Sequence, residues 1–249
     1  TVSIGSQDFA TLRENHYFLV DKTLHIREGW ESADCVTLIT RPRRFGKTLN
    51  MDMLKCFFSN QYAGRSELFE GLSIWNEEKY RNLQGQYPVI FVSFAAIKAD
   101  NYVDARDGII SAVYRAYQEH YSLFQKSEIE ESEKNFFKEL DIYVNTITPD
   151  KKMTNETVFR ALNSLAACLF RYYGKKAIIL LDEYDTPMQE AYINGYWEEF
   201  TGFMRSMFNA TFKTNPYLER AVMTGITRVS KESMFSDLNN LKVITVTSE

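Results

Sequence analysis

Two blocks of the 249-residue sequence hold residue types that could act on a phosphorylated ligand. The first is Arg41-Pro42-Arg43-Arg44-Phe45-Gly46-Lys47-Thr48. It follows the apolar run Cys35–Ile39 and precedes a segment with helical spacing, Thr48–Phe58. Strand, tight loop, Lys-Thr and helix is the order a phosphate-binding loop requires. The main-chain N–H groups of such a loop, and of the helix that begins in it, point inward. They form an anion site that the positive end of the helix dipole reinforces. In the pattern Gly-x-x-x-x-Gly-Lys-Ser/Thr, Lys47 is placed to reach the β- and γ-phosphates and the Thr48 hydroxyl to ligate Mg²⁺. Gly46 lets the backbone approach where a Cβ would intrude, and the nucleotide-contacting stretch runs from Arg41 through Leu49. The first position of the pattern is Arg41, not Gly. On this block alone, a basic surface turn or a basic patch for a polyanion stays open.

The second block is Ala177-Ile-Ile-Leu-Leu-Asp-Glu183, five apolar residues ending in two acids, the Walker B pattern. A buried parallel strand carries Asp182 to the carboxyl edge of a sheet, where ligands bind in open α/β folds. There Asp182 holds Mg²⁺ opposite Thr48, and Glu183 orients or deprotonates the attacking water. Each block is weak alone, and together they predict a P-loop NTPase. The Glu directly after the Asp marks the branch of these enzymes with an additional core strand and a catalytic Glu. Pro88–Phe94 is read as that strand, between the Walker A and Walker B strands. No Asn-Lys-x-Asp stretch for reading guanine is present, so ATP is preferred over GTP by elimination. Asp185 is either a third acid or, with Thr186-Pro187 starting a helix, a structural or capping residue.

The elements that must position these blocks read as α/β: a three-layer α/β/α arrangement around a mainly parallel sheet, with a helical insertion. Val36–Ile39, Pro88–Phe94, Ala177–Asp182 and Arg220–Gly225 are continuous apolar runs of the kind buried on both faces. Gln7–Arg13 reads as a short helix or turn, His16–Thr23 as a short aromatic strand, and Leu24–Trp30 as a helix closed by Gly29. Together they make residues 1–34 a lead-in segment packed on a domain spanning 35–249. Tyr17 and Phe18 could stack on an adenine base, but ordinary core aromatics are the better reading. Short helices and loops are expected from Asn60 to Gln86, and the insertion from about 102 to 147. Within it, the acidic run Glu128–Glu133 reads as a solvated helix face. Thr154 or Asn155 caps a helix with Val158, Leu162, Leu165 and Leu169 on one stripe, stopped by Gly174. Thr224, at the carboxyl end of its strand, fits a polar sensor for the attacking water or γ-phosphate. Arg228 is read equally as a phosphate contact, in cis or in trans, and as a surface charge. Lys242–Thr247 is strand-like, and that ending looks like a truncated domain.

Composition bounds the function classes. The chain is 45% hydrophobic and 25% charged with a net charge of −4, ordinary values for a soluble globular protein. The acidic balance gives no global field for nucleic acid, although Arg41, Arg43, Arg44 and Lys47 form a local basic cluster. Three cysteines, Cys35, Cys56 and Cys168, sit in apolar surroundings and read as reduced core residues of a cytoplasmic protein. No apolar stretch approaches the ~18 residues of a membrane span, and no membrane role is expected. His16, His25 and His120 lack metal-ligand spacing.

Asn15-His-Tyr-Phe-Leu-Val-Asp-Lys-Thr23, the Arg41–Thr48 block, Leu180-Leu-Asp-Glu-Tyr-Asp185, Thr224-Gly-Ile-Thr-Arg-Val-Ser-Lys231 and Met234–Leu241 together resemble the predicted AAA-ATPase-like family of bacteria. The resemblance spans nearly the whole chain and extends to Arg41, so that departure belongs to the family. It implies an ATP-binding core on Gly46, Lys47, Thr48, Asp182 and Glu183. Members often carry a C-terminal domain of the Pro-Asp…Asp/Glu-x-Lys nuclease type, but after Pro149-Asp150 this chain has no such Asp/Glu-x-Lys triplet. Three functions follow as expectations. The first is an Mg²⁺-dependent ATPase that couples turnover to conformational change. The second is a nucleotide-binding switch with little turnover that controls a C-terminal nuclease-like effector. The third is a nucleic-acid-handling ATPase, which the acidic net charge weakens. Nothing in the sequence sets the oligomeric state.

Overall fold

Runs of β-branched and large apolar residues too short for a helix pair most readily as buried strands, and here they do. In the computed structural model, residues 7–32, 34–146, 153–213, 215–226, 234, 235, 238 and 241–245 are described. Among these, five strands form one sheet: β1 (Val36–Thr40), β2 (Val89–Ser93), β3 (Ala177–Asp182), β4 (Leu218–Gly225) and β5 (Leu241–Ile244). The order across it is β2-β3-β4-β1-β5, and every pair is parallel. Parallel pairing brings all the carboxyl ends to one edge. Thr40 lies opposite Gly225, Ile39 opposite Thr224, and Ser93 opposite Asp182.

One expectation is corrected by this order. The strand that separates β1 from β3 in space is β4, while β2, the Pro88–Phe94 run, lies at the sheet's edge. The apolar pattern identifies strands but carries no record of which neighbour each one pairs with.

Side chains alternate between two apolar clusters, one on each face, as the two-residue period of a strand requires. Leu38, Ile90, Val92, Ile179, Leu181 and Met223 face one cluster. Val89, Phe91, Ile178, Leu180 and Val222 face the other. The first cluster is covered by helices between and after the central strands: α5 (Tyr102–Gln118), α6 (Tyr121–Phe124), α7 (Glu131–Asn145), α8 (Asn155–Tyr173), α9 (Thr186–Ile193) and α10 (Trp197–Phe208). The second is covered by α1 (Phe9–Glu14), α2 (Leu24–Glu31), α3 (Lys47–Phe58), α4 (Glu78–Arg81) and short 3₁₀ turns around them. The ends of α8 follow the sequence signals. The Thr154 hydroxyl accepts from Thr157 N–H at 3.2 Å, and Gly174 takes φ 68° to end the helix. Among the described residues no helix is long and apolar enough to cross a membrane.

Three local expectations also change. Residues 17–22 form no strand; Tyr17 N–H donates to the Leu12 carbonyl, and Asp21 and Lys22 are held through their side chains. Gly29 does not stop α2, which runs through it to Glu31. The acidic run is exposed at Glu128, Glu130 and Glu131 as expected, but only its second half is helical. Glu130 is the N-cap position of α7, Glu131 and Glu133 occupy its first turn where the helix dipole favours them, and Glu133 pairs with Arg171.

Candidate functional site

The site begins where β1 stops. Arg41 N–H still donates to Gly225 C=O at 3.1 Å, so the chain leaves the sheet only after that residue. Arg41 is not among the residues with positive φ, whereas Arg44 (68°) and Gly46 (75°) are. The departure from the Gly-x-x-x-x-Gly-Lys-Thr pattern therefore brings no left-handed backbone strain at position 41. Left-handed residues at Arg44 and Gly46 suit a loop of the kind whose successive N–H groups form an anion-binding concavity. Among the described residues, no group accepts from the main-chain N–H of Arg43 through Leu49. They include the first three N–H groups of α3, which the helix itself cannot satisfy.

Side chains complete the concavity. Lys47 is buried, and its ammonium donates to the carbonyls of Arg41 (3.0 Å) and Pro42 (3.1 Å). Thr48 Oγ1 donates to Asp182 Oδ2 at 2.8 Å, joining residues 134 positions apart. The other oxygen of Asp182 accepts from the Thr224 hydroxyl. Thr224 in turn accepts from Glu183 N–H at 3.3 Å. Thr48, Asp182, Glu183 and Thr224 are therefore one hydrogen-bonded group at the carboxyl edge of the sheet, with Lys47 next to Thr48 in the chain and bonded to the loop's own carbonyls. Asp182 and Thr224 are both almost fully buried, a setting in which these charge-assisted bonds are strong.

Glu183 has left the strand. Its φ is 52°, a conformation that costs a residue with a Cβ about 1–2 kcal/mol. Its carboxylate accepts from the Thr186 hydroxyl at 3.2 Å. Asp185 sits at the N-cap position of α9 but makes no side-chain cap bond. Its Oδ2 accepts from Ile226 N–H (2.9 Å) and Gln189 Nε2 (3.0 Å), tying the turn after β3 to the end of β4. That is a structural role.

The remaining candidates are placed as follows. Pro42, Arg43, Arg44 and Phe45 are exposed on the loop, and Arg41 turns its guanidinium back to the Thr40 carbonyl at 3.3 Å. Leu49 is half-buried in the first turn of α3. Arg228 lies outside the described residues. Phe18 is 66% exposed, so the expectation that it is a core aromatic fails. Lys22 escaped sequence reasoning, although Asp21-Lys22-Thr23 belongs to one of the blocks that carried the resemblance. Its ammonium lies 3.4 Å from the Phe45 carbonyl.

A hydroxyl and a carboxylate are hard oxygen donors of the kind Mg²⁺ takes, an ion commonly held by one or two protein oxygens with phosphate and water supplying the rest. Among the described residues no three His, Cys, Asp or Glu side chains gather into a metal-binding group of their own.

The family model described as predicted AAA-ATPase matches residues 3–235. A protein of Azotobacter chroococcum mcd 1, described as "Uncharacterized protein in vnfD 5'region", is 26% identical over 247 residues. That alignment covers 98% of this chain but 41% of the relative, so the chain spans well under half of that protein's length. No solved structure matches.

Proposed function

The chain belongs to the predicted AAA-ATPase family, and from that membership and the geometry of the loop we propose that it binds ATP with Mg²⁺ and hydrolyses it. The observation that carries this reading is the 2.8 Å bond between Thr48 and Asp182. It sets the loop against Asp182 at the end of β3, with Glu183 next in the chain. Lys47 moves its donors from the two loop carbonyls to the β- and γ-phosphate oxygens, and the N–H groups of residues 43–49 bind the same chain of phosphates. Thr48 and Asp182 hold Mg²⁺, which when bound neutralises charge on the phosphates. Glu183 orients a water molecule and takes its proton as the water oxygen bonds to the γ-phosphorus. The bond from that phosphorus to the bridging oxygen breaks, giving ADP and inorganic phosphate. Thr224 fixes the carboxylate of Asp182 and the backbone of Glu183. Arg228 is proposed as a phosphate contact. The sheet and the additional central strand β4 fit the P-loop class with a catalytic Glu.

A specific contact favours a second reading, a nucleotide-binding switch with low turnover that acts on an effector domain outside this chain. One carboxylate oxygen of Glu183 is already engaged by the Thr186 hydroxyl, a bond that competes with activation of a water. One pair of substitutions separates the two. Glu183→Gln should reduce phosphate release by about 100-fold or more while leaving ATP affinity unchanged. Lys47→Ala should weaken ATP binding by about 10-fold or more. Binding without any turnover in the parent protein selects the switch. A Lys47→Ala protein that binds ATP as well as the parent contradicts both readings.

A further inference from the structure

Lys22 belongs to the N-terminal segment, yet it ends at the loop. Its Nζ is 3.4 Å from the Phe45 carbonyl, and it is the nearest group, at 4.0 Å, to where a Cβ on Gly46 would stand. The segment is anchored so that this placement is fixed. Asp21 Oδ1 accepts from Thr23 N–H (2.9 Å) and Thr23 Oγ1 (2.6 Å). Asp21 Oδ2 accepts from Ser73 N–H and Ser73 Oγ, both at 2.7 Å. Thr23, fully buried, also accepts from Ile74 N–H at 3.2 Å.

Those bonds occupy both oxygens of Asp21, and no ion pair joins it to Lys22 among the described residues. The ammonium of Lys22 has three donors and makes one long bond to a neutral carbonyl, beyond the usual 2.7–3.2 Å. It is held there against Phe45 and Gly46, on the loop that also carries the exposed Arg43 and Arg44 and leads into the N-terminus of α3. A cation among cations is unfavourable unless an anion joins them. Lys47 sits on the carbonyls of residues 41 and 42 at the start of the loop, and Lys22 sits on that of residue 45 near its end. The two ammonium groups bracket it.

We propose that Lys22 is a second phosphate-binding cation, supplied by the N-terminal segment, that donates to outer oxygens of the polyphosphate bound by the Arg41–Leu49 loop. The inference rests on the nucleotide reading given above. It makes the Asp21–Thr23 turn a positioning device for the ligand as well as a fold contact. Lys22 acts on binding and takes no part in proton transfer.

The test is a titration of the full-length natural protein, its Lys22→Ala and Lys22→Arg variants, and Lys47→Ala, with fluorescent ATP and with fluorescent adenosine. Circular dichroism melting monitors the fold. Lys22→Ala should weaken ATP binding by about 10-fold, the loss expected for one charge-assisted bond, with adenosine binding and melting unchanged. Lys22→Arg should restore most of the affinity because the charge is kept. Lowered affinity should also come with a shallower dependence on salt. If Lys22→Ala binds ATP as the parent does while Lys47→Ala does not, Lys22 has no such role and the nucleotide reading survives. If both Lys22 variants lose binding and melt early, the residue is structural and the proposal is overturned. If the parent binds no ATP at all, the reading and the proposal fall together.

Discussion

Gly225, opposite Thr40 at the end of β4, has no room for a side chain. A Cβ there would lie 2.6 Å from the Tyr184 ring and 2.8 Å from Asp185 Oδ1. Neither neighbour can step aside easily. Both are fully buried, Tyr184 packs edge-on against Phe235 at 5.4 Å, and Asp185 holds the N–H of Ile226. Gly225→Ala should therefore destabilise the protein by about 1–3 kcal/mol, the usual cost of overpacking a core. Urea unfolding measures this, and a variant as stable as the parent would contradict the packing described. At this scale the sequence is informative in a limited way. Lys47 and Thr48 follow Gly46 in the loop pattern, and Asp182 and Thr224 stand at the ends of apolar runs, so their types and positions could be picked out. The demands on Gly225, the left-handed backbone of Glu183 and the reach of Lys22 come from residues distant in the chain. No local pattern records them.

His120 shows how an element is locked to its neighbour. It follows α5, is 3% exposed, and places Nε2 3.1 Å from the Val89 carbonyl at the start of β2. The geometry suits a neutral ring that donates Nε2–H. Burial pushes its pKa down and nearby Lys55 adds to this, while the Val89 carbonyl works against them; the result is a fall from 6.5 to about 4. Between those two values the unfolded chain binds more protons than the folded one. The folded state thus keeps its full stability above pH 6.5 and loses it as pH falls toward 4, by about 3 kcal/mol in all. Unfolding the parent and a His120→Gln variant in urea at pH 7 and pH 4.5 checks the sign. The variant, which keeps a donor but does not titrate, should lose less stability by about 2–3 kcal/mol. Equal losses would show that His120 is not held neutral. Elements were largely legible. Strand runs, the α8 cap and the α8 stop follow directly from residue type. The order of strands did not, because β2 and β4 are both apolar enough for the centre of a parallel sheet.

For the whole molecule, charge and topology act together. The chain carries a net −4, yet Lys22, Arg43, Arg44 and Lys47 converge on one loop at the carboxyl edge of the sheet. An acidic protein with such a local cluster repels polyanions in general and attracts them at one place. Parallel pairing then sets Asp182 at the end of β3 beside that loop, so two blocks that are weak separately come together as one candidate site. The most direct measurement is a crystal structure with a non-hydrolysable ATP analogue and Mg²⁺. The account predicts the phosphates under the N–H groups of residues 43–49, with the metal ion between Thr48 Oγ1 and the carboxylate of Asp182. A nucleotide bound elsewhere, or a metal ion away from that pair, would contradict it.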